Sequence, residues 1–263
     1  MAGNNSLHGS SVASKLFAVL DAFAGGAQSL RLTDIVDRSG LAMPTALRMV
    51  RELVSWGGLE RARDGSYRVG ARMWLLGNAS PCLRKLRELG EPHLQDLLAR
   101  GRTGVHLAAL DGVHALVLSR LGTGHALPSV GARLPLHATG TGRALLAFGD
   151  PALVDEVVHT GLPALTRHTV TAAAGLRRGL ARVRDAGVAV VREEYRPGLT
   201  QVAAPVFHPT DGVVAAIGAD LGPGAPVPRM LHAVRMAAAR MGESVAAEAA
   251  RQADAPLPAR RAG

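Results

Sequence analysis

The sequence predicts an α+β protein in two parts: an N-terminal winged helix-turn-helix, then a larger domain of mixed strands and helices. Three observations lead there. Apolar residues recur at helical spacing on both sides of a tight turn at Gly40. An arginine-rich hairpin pattern follows directly. Beyond residue 100, extended runs are separated by helical stretches with no regular strand–helix alternation. A length of 263 residues agrees with two domains at about 150 residues each.

Residues 1–10, rich in Gly, Asn and Ser, read as a loose terminus. From Ser11 onward Val12, Leu16, Val19, Leu20 and Phe23 share one helical face, and Gly25-Gly26 stops the helix. Thr33 is placed to cap a short helix with Ile35 and Val36 inward, and Gly40 ends it. Pro44, whose fixed φ suits a first helical position, opens a helix running to about Trp56. Its apolar side carries Leu47, Val50 and Val54, which leaves Arg48 and Arg51 to point elsewhere. In LERARDGSYRVG, Leu59, Arg61 and Arg63 alternate with Glu60 and Ala62, Asp64-Gly65 turns the chain, and Tyr67 and Val69 resume extension: a short wing hairpin. A connecting helix over 70–77 completes a first domain of residues 11–77, and residues 78–82 form a linker.

The second domain covers residues 83–250. It opens with a helical stretch to about Arg100, in which Pro92 starts a second helical piece. Extended runs at 105–110 and 115–121 flank the turn Asp111-Gly112. Helices at 142–148, 152–159 and 173–185 precede strands at 188–192, 199–207 and 213–219, and a long helix over 228–250 closes the domain. Residues 251–263 read as an unpacked, disordered Pro/Ala/Arg tail.

No run reaches the roughly 18 uncharged apolar residues of a membrane span, and the first residues lack the basic and apolar regions of a signal peptide. A cytoplasmic protein with no membrane partner is expected. The single Cys82 forms no internal disulfide and is a poor start for a zinc site; it reads as a buried small hydrophobe. Lys plus Arg is 30 against 21 Asp plus Glu, and every basic residue except Lys15 and Lys85 is Arg. The excess is +3 over residues 1–80 and +6 over 81–263, so bulk charge marks neither half. A nucleic-acid reading must rest on where the arginines sit.

They sit on the helix-turn-helix and its wing. In a winged module the second helix enters the major groove and its N-terminal half reaches base edges, while flanking elements hold phosphates. Thr45, Leu47 and Arg48 occupy that half, Arg51 lies one turn beyond, and Arg61, Arg63, Arg68 and Arg72 lie on or beside the hairpin. Only Glu52, Glu60 and Asp64 oppose these six arginines between residues 48 and 72. The plainer alternative is the solvated face of a small helical domain.

In the second domain Gly140-Thr141-Gly142 precedes a helix, where unpaired N–H groups attract an anion or a carbonyl; a tight turn feeding the helix is the competing reading. The third Gly of a dinucleotide fingerprint is missing. His106, His114, His125, His137, His168 and His208 form no H-x-x-x-H or HExxH pair, His137 reads as structural, and no Gly-x-Ser-x-Gly elbow exists. Glu193 and Glu194, adjacent on a strand end, diverge and read as a solvated edge rather than an acid/base pair. No catalytic residue, metal site or cofactor is expected.

The ordered series SVASKLFAVLDAF, LTDIVDRSGLAMPTALRMVRELVSWGGLER, DGSYRVGARMWLLG, TGVHLAALDG, GARLPLHATGTGRALLAF, LTRHTV, VREEYRPGLTQVAAPV and DGVVAAIGADLGP resembles the IclR family of transcriptional regulators over about residues 11–222. The resemblance implies a linker helix joining a winged helix-turn-helix to a GAF-like sensing domain. It also implies a homodimer or dimer of dimers on a palindromic operator of double-stranded DNA, and a small-molecule effector. It places the effector against Gly140, Thr141, Gly142, Val191, Gln201, Gly218 and Asp220, and a dimer contact on the first helix at Val12 and Leu16. Departures are visible. The Pro-Lys-Ser-Thr that often opens the family's recognition helix is replaced around Ala42, Met43, Pro44 and Thr45, and Gln201 stands where many relatives carry Cys. With Val191, Gln201 and Thr141 the pocket suits a neutral or amphipathic ligand, Asp220 being the one carboxylate able to change that; for Gln201 a solvent-facing strand position is the alternative. A ligand-released repressor is the leading reading. An activator or ligand-independent regulator of the same fold, and a small-molecule enzyme with a vestigial helix-turn-helix, are the alternatives.

Overall fold

The computed structural model describes residues 11–24, 27–78, 80–101, 104–123 and 128–253. They gather into two compact units, one ending at Pro81 and the other starting at Cys82.

The first unit begins with α1 (Val12–Asp21), whose cap is Ser11: its hydroxyl accepts from the Ser14 amide at 3.1 Å. The helix stops at Asp21, short of the expected Gly25-Gly26, which lies outside the described residues, and Phe23 enters the core from the turn that follows. In α2 (Leu32–Ser39) the sequence expectation for Thr33 fails. Thr33 lies inside the first turn, the N-cap is Arg31, and its N–H donates to the Asp34 carboxylate at 2.8 Å. A charge two residues inside the helix thus takes up a donor that no cap side chain reaches.

Gly40, at φ +67°, closes α2 in the left-handed conformation that a Cβ would strain, and only Leu41 and Ala42 separate it from α3 (Met43–Trp56). The core-facing residues of α3 are Ala46, Met49, Val50 and Leu53; Leu47 and Val54, expected inward, are half-buried at the margin of that stripe. The wing pairs β1 (Leu59–Arg61) with β2 (Tyr67–Val69) in register Arg61↔Tyr67. Its loop is longer than a two-residue turn: Ala62 and Ser66 bond at 2.8 Å and Gly65 takes φ +81°, so Arg63 sits in the turn and not in the strand. Leu30 exchanges both backbone hydrogen bonds with Tyr67, at 2.9 and 2.8 Å, tying the wing to the entry of α2. The unit ends in α4 (Ala71–Asn78).

The residues expected as a linker are divided: Asn78 ends α4, residue 79 is outside the described set, and Pro81 opens α5 (Pro81–Gly101). Pro92 lies inside this one helix rather than starting a second piece. Losing its N–H removes a single i→i−4 bond, which burial of Leu94 and Leu97 against the sheet offsets. Gly90 marks the close approach, since a Cβ there would lie 2.7 Å from Leu107 Cδ2. Cys82, expected buried, is exposed in the first turn of α5.

Next come β3 (Gly104–Asp111), β4 (His114–Leu121), β5 (Arg133–Pro135), α6 (Gly140–Phe148), α7 (Pro151–Thr160), α8 (Ala173–Ala186), β6 (Ala189–Arg192), β7 (Thr200–His208), β8 (Gly212–Leu221) and α9 (Val227–Ala253). The closing helix takes in residues 251–253, which were expected in the tail; residues 254–263 lie outside the described set. The six strands form one sheet in the order β5-β4-β3-β8-β7-β6, antiparallel at every pair. The β3–β4 hairpin turns on Gly112-Val113, with the positive φ of Gly112 at the first central position as a type II′ turn requires.

Strand alternation sorts side chains onto two cores. Val105, Leu107, Val202, Ala204, Ile217 and Ala219 face Leu94 and Leu97 of α5 and Met230, Val234 and Met241 of α9. Ala108, Ala203 and Ala216 face Leu145, Leu176 and Leu180 of α6 and α8, with Leu153 and Val157 of α7 beyond. A helix layer therefore covers each face of the sheet.

Candidate DNA interface and buried polar site

In the first unit the polar residues of the α3 N-terminal half turn outward. Met43, Pro44 and Arg48 are exposed, Thr45 and Leu47 half-buried, and Arg51 is exposed one turn on. Arg48, Arg51 and Arg63 take part in no hydrogen bond or ion pair among the described residues. The other arginines are engaged. Arg61 lies over the Tyr67 ring at 6.0 Å, and Arg72 stacks on Trp56 at 4.8 Å while donating to its carbonyl at 3.1 Å. Arg68 donates through Nε and Nη2 to Glu60 Oε2 at 3.0 and 2.8 Å, and this hydrogen bonding holds the Glu60 carboxyl below its ordinary pKa. On α1, Val12 and Phe17 are largely exposed, whereas Leu16 packs at the edge of the unit's own core.

In the second unit the predicted ligand residues come together on the α6 side of the sheet. Gly140, Thr141 and Gly142 form the first turn of α6, capped by Thr139, whose hydroxyl accepts from the Gly142 amide at 3.2 Å. The Gly140 amide donates to Gln201 Oε1 at 3.1 Å, and Gln201 Nε2 donates to Asp220 Oδ1 at 2.8 Å. Gln201 pairs across strands with both Val191 and Asp220. All of these residues are buried. The solvent-facing alternative for Gln201 therefore falls, and so does the expectation that the Gly140 amide stands open as a donor: Gln201 already takes it.

The sequence reading missed a further member. His106, on β3, is 1% exposed; its Nε2 lies 3.3 Å from Thr141 Oγ1 and its Nδ1, with no hydrogen-bond partner, lies 3.9 Å from Asp220 Oδ2. Burial holds the imidazole below its ordinary pKa, and the Asp220 carboxylate opposes that shift without reversing it. Gly218 makes room: a Cβ there would stand 2.8 Å from Thr141 Cγ2 and 2.9 Å from His106 Cε1.

A second buried pair was also missed. Arg143 donates to Glu194 Oε2 at 2.5 Å and through Nε to the His137 carbonyl at 2.8 Å, and the Val170 amide donates to the same carboxylate oxygen at 3.1 Å. Glu194 is buried, not a solvated edge. Glu193, at φ +54°, accepts from the Gly198 amide, so the two carboxylates do diverge. His137 Nε2 lies 3.1 Å from the Pro163 carbonyl, and burial lowers its pKa. A cavity of about 150 Å3 beside His137 and His114, and one of about 620 Å3 between α6, α7 and α8, are lined by none of the predicted ligand residues. Among the described residues no group of three His, Cys, Asp or Glu could hold a metal ion, and no helix is long and apolar enough to cross a membrane. His125 lies outside the described set.

Comparison with known proteins fits this arrangement. Residues 12–63 match the IclR helix-turn-helix domain, and residues 83–225 match the bacterial transcriptional regulator IclR C-terminal domain. The chain is 33% identical over 241 residues to the glycerol operon regulatory protein of Streptomyces griseus, covering 88% of this chain and 94% of that one. It is 28% identical over 196 residues to the transcriptional repressor IclR of Escherichia coli K12, covering 72% of each. Among solved structures, an IclR homolog from Microbacterium hydrocarbonoxydans complexed with 4-hydroxybenzoate superposes with a TM-score of 0.81 at 32% identity, over 90% of this chain and all of that one. With both domains matched in order and the Streptomyces griseus relative covered over 94% of its length, the chain belongs to the IclR family of transcriptional regulators.

Proposed function

We propose that this chain is a repressor that binds a palindromic operator as a homodimer or dimer of dimers in the cytoplasm and is released by a small-molecule effector. The observation that carries the DNA half is the set of uncommitted cations: Arg48 and Arg51 on α3 and Arg63 on the wing have no partner among the described residues, so phosphates and base edges can engage them without first breaking an ion pair. Thr45 and the exposed edge of Leu47 flank Arg48 on the base-reading half of α3, and Arg61 and Arg68 supply further contacts from the wing. Val12, Leu16 and the exposed Phe17 of α1 form the dimer contact. Relatives named as repressors and a relative solved with an aromatic acid support the repressor and effector parts.

The effector site is the turn at 140–142 with Val191, Gln201, Gly218 and Asp220, closed in this structure by their own hydrogen bonds. Effector moves the operator equilibrium only through its differential affinity for two arrangements of the protein. The test is retardation of the DNA upstream of the protein's own gene. Binding should fall steeply with salt, and a compound that releases wild type should act at a shifted concentration on Thr141→Val/Gln201→Leu. A flat salt dependence ends the DNA reading; an unchanged half-maximal concentration moves the effector site elsewhere.

A further inference from the structure

The chain Gly140–Gln201–Asp220 is a hydrogen-bonded relay built around one side-chain amide. Its two ends are fixed demands of the fold. At one end the first turn of α6 presents a backbone N–H with no helical acceptor; at the other Asp220 brings a carboxylate into the same buried layer. Gln201 meets both at once, its carbonyl accepting from Gly140 and its NH2 donating to Asp220. An alkyl side chain at 201 would leave the buried Gly140 amide without its acceptor and remove a donor from the buried Asp220 carboxylate. The seat is also made by absence of side chains: a Cβ at Gly140 would lie 3.0 Å from Gln201 Cβ, and one at Gly218 would strike Thr141 and His106. Beside it His106 Nδ1, fully buried, has no hydrogen-bond partner, so the layer holds more polar capacity than the protein itself fills.

We propose that Gln201 is a built-in surrogate ligand, seated where a neutral compound carrying an acceptor and a donor binds by displacing it; this rests on the reading of residues 140–142, 201 and 220 as the effector site. The ligand class follows from what Gln201 already does. A primary carboxamide, a ureide or a hydroxyl-bearing carbonyl compound repeats its pattern, acceptor toward Gly140 and donor toward Asp220, and can add a bond to His106 Nδ1. A carboxylate satisfies Gly140 but sets a second anion against Asp220. His106 offers no compensating charge, because burial disfavours its protonated form, and Arg143 on the next turn of α6 is committed to Glu194 and the His137 carbonyl.

Gln201→Ala in the full-length chain empties the seat, leaves the Gly140 amide without its acceptor and takes the Gln201 donor from Asp220. Acetamide, matching the deleted CH2–CONH2 fragment, should then raise the melting temperature by about 2–4 °C at a concentration several times its dissociation constant, with a smaller effect on wild type. Acetate at the same concentration should leave it unchanged, and Asp220→Asn added to Gln201→Ala should abolish the discrimination. Should Gln201→Ala fail to fold, Gln201→Ser with formamide against formate replaces it. A response to the carboxylate equal to or larger than that to the amide, no response to either, or the same response in wild type overturns the proposal. Operator retardation of the same variant separates it from the effector reading. Amide-selective stabilisation with unchanged DNA affinity keeps the surrogate and removes the effector role from the site, whereas DNA release by both compounds alike keeps the effector role and removes the surrogate.

Discussion

In the N-terminal unit the charged groups that matter stand outside and uncommitted: Arg48, Arg51 and Arg63 have no partner among the described residues. In the C-terminal unit they stand inside and bonded to one another, His106 with Thr141, Gln201 with Asp220, Arg143 with Glu194. The contrast separates two ways of holding polar chemistry. An exposed cation costs the fold little and waits for a partner from solution, so its loss shows in binding. A buried polar group must be satisfied at once, so its loss shows in stability first and in ligand response second.

Acid should set the units apart most strongly. Burial pushes His106 and His137 below the ordinary imidazole pKa, and burial with Arg240 nearby does the same for His93. These groups bind fewer protons folded than unfolded, so they cost nothing well above about pH 6.5 and remove stability as pH falls below it toward their folded values. The described residues of the N-terminal unit contain no histidine, and hydrogen bonds hold Glu60 and Asp64 below their ordinary pKa, so they stay ionised at pH 5.5. Hydrogen exchange at pH 7.5 and 5.5, corrected for intrinsic rates, should show protection lost in β3, β7 and β8 while α2 and α3 keep theirs. Equal loss in both units would break the contrast.

Next in size is Arg143→Ala. It leaves the buried Glu194 carboxylate with the Val170 backbone amide as its remaining donor among the described residues and frees the His137 carbonyl. A loss of about 3–5 kcal/mol in urea unfolding is expected, the range for removing one partner of a buried pair. A loss below about 1 kcal/mol would show that the network is not a structural element. Arg48→Ala is the counterpart outside. It should leave stability within about 0.5 kcal/mol and weaken operator binding by about 1–3 kcal/mol, relaxing preference at one base position. A sequence-independent loss would reduce Arg48 to a phosphate contact.

How much of this was legible in the sequence divides along the same line. The helix-turn-helix was, because Gly40, Pro44 and the apolar spacing act locally; the wing arginines were, because exposed charge needs no tertiary knowledge. The phase of α3 was read one step off, since Leu47 and Val54 border the buried stripe and only packing decides which of two adjacent rows faces in. The turn at 140–142 and Gln201, proposed to hold the effector, were singled out by resemblance. Their being bonded to each other was not legible, because Gly140 and Gln201 are 61 residues apart and meet through strand register. His106 and Glu194 escaped for a related reason. A lone His in a strand and a Glu in a charged pair look solvated until the sheet's far side is known to be covered by α6 and α8. Short β5 carried too few residues to show a period.

The smallest effect offers the sharpest comparison within the wing itself. Arg63 at the turn has no partner among the described residues, whereas Arg68, five residues on, is bonded to Glu60 through two nitrogens. A cation whose charge is already offset releases few counterions when it meets a phosphate, because the acidic partner must move or stay as a repelling neighbour. Arg63→Ala should therefore lower binding to all sequences alike and reduce the slope of log K against log salt by about 1, the share of a single phosphate contact. Arg68→Ala should leave that slope almost unchanged, and Glu60→Gln, by uncovering Arg68, should steepen it. If Arg63 and Arg68 prove equal in their salt slopes, the ion pair opens on DNA at no cost, and the distinction between committed and uncommitted cations does not hold at this surface.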